Sequence, residues 1–148
     1  YMDSAVRTGA STTMALALKV GGSGTRVQAW NGDSATGFGP ILISGNRGLY
    51  VRAVAIPSDG AHTADVWERW VIVSGKAGRS EFWVNGSRVI DYAGTQTAPN
   101  GYLRIGGSDG SPEFYSGGMD LGEFAIYTTA LSDSDIGELD TYLASKWG

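Results

Sequence analysis

Two β-type runs, Phe82-Trp83-Val84 and Arg88-Val89-Ile90, are joined through Asn85-Gly86. No other short stretch constrains the chain as tightly. Asn and Gly both tolerate positive φ, which the two-residue turn of an antiparallel hairpin demands. The spacing predicts that residues 82–84 pair back onto 88–90. The same period of two recurs around this hairpin. In residues 13–20, Met14, Leu16, Leu18 and Val20 alternate with Ala15, Ala17 and Lys19. Residues 25–30, 41–43, 49–56, 67–73, 80–84, 102–105 and 120–128 read as further strands. The run 67–73 becomes apolar on both faces toward its end, as a central strand does. The 23 glycines, against 4 prolines, fall between these runs without a repeat. They mark tight turns, not collagen or disorder.

The period changes near the end. After Ser132, residues Ile136, Leu139, Leu143 and Trp147 follow at helical spacing and make one apolar face. Ser132 is a good N-cap, Asp135 can reach back to close a capping box, and Asp133 and Lys146 suit the two ends of the helix dipole. One helix is predicted over residues 133–146. With no internal boundary or repeat, the expectation is a single all-β domain over 1–148, a two-sheet antiparallel sandwich with one short C-terminal helix. Because it opens at Tyr1, it is read as a fragment of a longer protein. Trp70 and Trp147 are assigned to its core.

Several function classes are disfavoured. The net charge is −4 and the basic residues are scattered, which does not suit a nucleic-acid groove. No run approaches the ~18 apolar residues of a membrane span. Zero cysteines exclude disulfides, thiolate zinc sites and cysteine nucleophiles, and lean the chain toward a bacterial or phage source. His62 is the single histidine, and no Gly-x-Ser-x-Gly elbow precedes a helix, so it reads as a solvated loop residue. Glycoside hydrolysis needs two acids facing one cleft. Asp120 and Glu123, and likewise Asp65 and Glu68, are spaced to face opposite sides of a regular strand. A bulge at Gly122 would bring the first pair together; otherwise Glu123 is structural and Asp120 pairs locally. No catalytic residue is assigned and no enzyme is expected.

The segments RWVIVSG and EFWVNG, then GYLRIGGSDG, then FYSGGMDLGEFAIYTTALSDSDI and the ending TYLASKWG, occur in an order that resembles laminin G-like domains. These belong to the concanavalin A-like lectin and glucanase jelly-roll superfamily, of the kind found in bacterial surface and phage virion proteins. The resemblance covers residues 67–148. Residues 1–66 are read by pattern alone, with the opening strand short or missing. It implies a jelly roll that could serve as lectin, adhesion module, decoration or hydrolase. It also implies loop calcium, for which Asp109 and Glu113 are the candidates, with Asp33 and Asp59 behind them. No cofactor is otherwise required.

Glycan recognition needs an aromatic ring against a sugar face with polar groups beside it. Trp83 points out of the core if Phe82 and Val84 point in, and Trp30 stands beside Asn31 and Asp33. Tyr102 and Tyr115 flank the loop that carries Asp109, and residues 106–116 are expected to form part of a recognition surface. The expected function is a non-enzymatic module that binds a glycan or host-surface polysaccharide, outside the cell or on a virion surface. Other virion or surface proteins would be further partners. The alternative is a purely structural decoration or protein-interaction domain on a capsid, tail fibre or cell surface. A glycoside hydrolase is the third reading.

Overall fold

Strand β2 (Thr12–Val20) is buried along almost all its length, and β8 (Trp67–Lys76) is buried on both faces from Trp70 to Ser74. The structure is a computed structural model that describes residues 2–4, 9–21, 26–27, 29–32, 35–97, 103–105 and 119–148, by backbone alone at 2–4, 26–27, 30 and 59. β2 and β8 lie side by side in a five-stranded sheet of order β10–β9–β8–β2–β12, completed by β9 (Arg79–Val84), β10 (Ser87–Tyr92) and β12 (Met119–Tyr127). The second sheet has seven strands. β1 (Met2–Ser4), β11 (Leu103–Ile105), β4 (Ala29–Asn31), β5 (Phe38–Ile43), β6 (Asn46–Val51) and β7 (Val54–Ala61) follow in that spatial order, and β3 (Arg26–Val27) also pairs with β5. Every pairing among the described residues is antiparallel.

Period-two alternation sends each strand's side chains to two different places. Met14, Leu16, Leu18, Trp70, Ile72 and Phe82 point toward the other sheet and meet Phe38, Leu42, Leu49 and Val51. Ala15, Ala17, Val71 and Val73 point the opposite way and are covered by Ile136 and Leu143 of helix α1 (Asp133–Trp147). The expected capping box is present. Asp135 N donates to Ser132 Oγ, and Ser132 N donates to Asp135 Oδ2, both at 3.2 Å. Arg69 of β8 holds Asp140 of the helix at 2.9 Å, and Lys76 pairs with Asp133, so two ion pairs seat α1 on the strand beneath it.

Three elements differ from the expectation. Residues 49–56 are not one strand, because the chain reverses at Arg52-Ala53 between β6 and β7. Both turn residues have positive φ, 48° and 64°. The turns Ser44-Gly45, Ala77-Gly78 and Asn85-Gly86 have the same form but place glycine second. A side chain in that region costs about 1–2 kcal/mol per residue, so Arg52-Ala53 carries no turn signature. Of the expected strand 25–30, residues 26–27 and 29–30 are strand, and residues 25 and 28 lie outside the described residues. Second, the strand expected at 41–43 extends back to Phe38 through Gly39 and Pro40. Third, Trp147 lies outside the inter-sheet core. Its ring rests on Gly122, where a Cβ would stand 2.7 Å from ring carbons, and meets Trp67 in a tilted contact at 4.7 Å between centroids.

One ion pair crosses the interior between the sheets. Arg47 of β6 donates to the Glu68 carboxylate of β8, with Nε to Oε2 at 2.9 Å. Thr63 N at 3.1 Å and Trp70 Nε1 at 2.7 Å donate to the same carboxylate. Burial alone would raise the Glu68 carboxyl. The hydrogen bonds from Arg47, Thr63 and Trp70 outweigh it and hold the group below the ordinary carboxylate value of 4.5.

Two outcomes are expected. Leu143→Ala, at a position 2% exposed, should destabilise the domain by about 2–5 kcal/mol, read as a lowered denaturant midpoint. Glu68 has its lowered pKa only when folded, so its contribution is complete above the unfolded value, declines as pH falls below it, and is lost below the folded value. Urea midpoints measured down through about pH 4 should fall less steeply for Glu68→Gln than for wild type. Equal slopes would show that the pair does not carry this acid sensitivity.

Candidate functional site

The acids come first, because a hydrolase would need them. The ladder between β12 and β2 shifts between Leu121 and Glu123, so Gly122 is indeed a bulge. It sets Asp120 opposite Lys19 and Glu123 opposite Ala17, which brings both carboxylates to the helix side of the sheet. Each has local partners there. Asp120 pairs with Lys19 at 2.7 Å. Glu123 accepts from Tyr142 Oη at 2.9 Å and Trp147 Nε1 at 3.4 Å, with Lys146 Nζ at 3.5 Å. The Tyr142 hydrogen bond, aided by those from Trp147 and Lys146, keeps its carboxyl below the usual range. Of the second pair, Glu68 is the interior tie already described, and Asp65 is exposed in the turn before β8.

Trp83 faces the helix side of its sheet, away from Phe82 and Val84, as the alternation implied. There it is half-buried. Its indole N–H donates to buried Glu81 at 2.9 Å, and Lys76 and Arg88 stand 5.8 and 5.7 Å from its ring. Glu81 also receives Lys76 at 3.3 Å and Arg88 at 3.0 Å. The indole is therefore positioned by a network of its own sheet. Trp30 falls within β4, where the backbone alone is described. Tyr102, Tyr115, Asp109, Glu113, Asp33 and the loop 106–116 lie outside the described residues, as does the side chain of Asp59. Among the described residues no three His, Asp or Glu side chains gather as a metal site. His62 is not a solvated loop residue. It is half-buried after β7, and Nδ1 lies 2.9 Å from Gly45 O, in the turn between β5 and β6.

A cleft of about 170 Å³, which no sequence motif signals, lies on the side of the sandwich where the edge strands of the two sheets approach. Val51, Arg52 and Val54 line it from the β6–β7 hairpin; Tyr92, Gly94 and Thr95 line it from the end of β10 and the segment after it. Gly94 permits a close approach here, since a Cβ would lie 2.5 Å from the Tyr92 ring. The ring therefore rests on the backbone and is fixed from below. The lining offers an aromatic ring, two hydroxyls, a guanidinium and apolar valines. It contains no carboxylate, so it can hold a polar ligand but cannot supply the paired acids of glycoside hydrolysis.

A laminin G domain model of the Concanavalin A-like lectin/glucanases superfamily matches residues 3–137, beginning well upstream of the segment whose motifs were recognisable. No curated protein matches the sequence. Among solved structures, the fold is similar to part of a Trypanosoma rangeli sialidase, with a TM-score of 0.72 and 16% identity over 93% of this chain and 23% of that one. It is similar to a heptameric SAP-like pentraxin from Limulus polyphemus, with a TM-score of 0.65, 18% identity, and 91% and 71% coverage. It is also similar to a candidate carbohydrate-binding protein from Bacteroides ovatus, with a TM-score of 0.71, 10% identity, and 93% and 42% coverage. The chain spans about a quarter of the sialidase's length, and identities this low carry the fold alone. With the family match extending over nearly the whole sandwich, the chain belongs to the laminin G-like domains of the concanavalin A-like lectin and glucanase superfamily.

Proposed function

We propose that this domain is a non-catalytic carbohydrate-recognition module, displayed outside the cell or on a virion surface. The observation that carries this reading is the side cleft, where Tyr92, Thr95 and Arg52 converge beside Val51 and Val54 with no acid among them. A ring offers the apolar face of a sugar a surface, and hydroxyl and guanidinium groups answer its oxygens. The acids that could have argued for hydrolysis are bound to local partners: Asp120 to Lys19, Glu123 to α1, and Glu68 to Arg47. The Bacteroides ovatus neighbour, described as a candidate carbohydrate-binding protein, supports the same class of activity. The family resemblance supports an extracellular or virion setting, and the absence of cysteine leans toward a bacterial or phage source.

A glycan array probed with the 148-residue domain tests the reading. A discrete set of glycans should be retained, with no release of reducing sugar on incubation. Because the cleft has no carboxylate to hold a hard cation, retention should be the same with calcium and with chelator. It should also survive the paired change Asp109→Ala with Tyr115→Ala, and loss in that variant would move the site to the loop 106–116. Retention of no glycan would refute the module reading itself.

A further inference from the structure

We propose that the side cleft takes an acidic saccharide, one sugar residue whose carboxylate or sulfate pairs with Arg52. The inference rests on the carbohydrate reading above and names the chemistry of its ligand. The chain has 15 acidic and 11 basic side chains, so acids are in excess. Lys19, Arg47, Arg69, Lys76, Arg79, Arg88 and Lys146 each hold a carboxylate within the domain. Arg104 is also engaged. Among the described side chains, Arg52 is the one lysine or arginine with no partner.

Arg52 lines the cleft, on the hairpin that adopts positive φ at two residues without a glycine. The turn is held in place by the Arg52 N–H, which donates to Gly37 O at 3.0 Å. Strain of this kind persists only where the surroundings enforce it. Here it presents an arginine where glycine would be the easier choice. Across the cleft, the Tyr92 and Thr95 hydroxyls also have no partner among the described residues. A guanidinium meets a carboxylate or sulfate as a planar fork, the geometry that a lysine lacks. The pyranose ring beside such a group would lie along Tyr92, with its hydroxyls toward Thr95. A volume of about 170 Å³ suits one sugar residue and not a buried stretch of polymer.

The test is an amide NMR titration of the whole 148-residue domain with three probes: methyl glucuronide, methyl glucoside 6-sulfate and neutral methyl glucoside. At least one acidic probe should shift the amides of Arg52, Gly94 and Thr95, and the carboxylate and sulfate arms identify which anion the cleft prefers. The neutral probe should bind at least about tenfold more weakly, and added salt should weaken the acidic one. Arg52 is exposed, so Arg52→Gln should melt like wild type yet lose about tenfold or more in affinity, and Arg52→Lys should retain part of it. Unchanged acidic-probe affinity in Arg52→Gln, or cleft amides unmoved by every acidic probe, overturns the proposal. If the array retains glycans while the cleft amides stay still, this proposal alone fails. If the array retains none, the carbohydrate reading fails with it.

Discussion

Leu16 and Ala17 are neighbours on β2, point in opposite directions, and are both fully buried. A two-layer sandwich can cover only one face of such a strand, so the fold needs a third layer. Helix α1 provides it, and the small side chains of Ala15 and Ala17 let it settle close to the sheet. Much of the remaining structure follows from holding that helix there. The capping box fixes where it starts. Thr13 at the head of β2 accepts from Leu131 N at 3.0 Å and donates to Thr129 O at 2.9 Å, which ties the approach to α1 onto the strand it must cover. At the far end, the glycine bulge in β12 opens the space into which Trp147 lays its ring.

The ionic pairs serve the same architecture. Arg69–Asp140 joins sheet to helix, Arg47–Glu68 joins one sheet to the other, and the Glu81 cluster draws β8, β9 and β10 together around an indole. Desolvation offsets much of the attraction of the more buried pairs, so their net contribution to stability is modest. Each layer contact has at least one charged pair that depends on the register of its elements. A consequence is that most of the domain's cationic side chains are committed to its own carboxylates.

The parts of this fold that were legible in sequence are those with local chemistry. Asn85-Gly86 announced its hairpin and delivered the pairing of Arg88 with Trp83 and Ile90 with Phe82. Ser132 and Asp135 announced the helix. What stayed hidden depended on residues behaving against their local signal. The alternation of residues 49–56 runs straight through a turn, and Arg52 and Ala53 give no hint of positive φ. Trp147 continues an apolar helical face, but that face meets the outside of a sheet. The cleft was unreadable for a different reason. Its two walls come from the edge strands of different sheets, so no spacing in the sequence relates Arg52 to Tyr92. Trp83 was read correctly as pointing away from Phe82 and Val84, while its engagement with Glu81, Lys76 and Arg88 depends on three strands meeting.

The position of β2 in the chain also governs how the domain can be made. Its partners are β8 and β12, and the bond between Thr13 and Thr129 closes a separation of 116 residues. Folds dominated by such distant pairings form on the order of milliseconds to seconds, because a long loop must close before its contacts reward it. Synthesis is slower still, at roughly 5–20 residues per second. For several seconds β2 is outside the ribosome, apolar on both faces and with both edges unpaired, before β12 and α1 exist. In that interval its natural competitor partner is the same strand of another nascent chain. A strand that needs two neighbours and two covers, all encoded later, makes the order of elements itself an aggregation risk during synthesis.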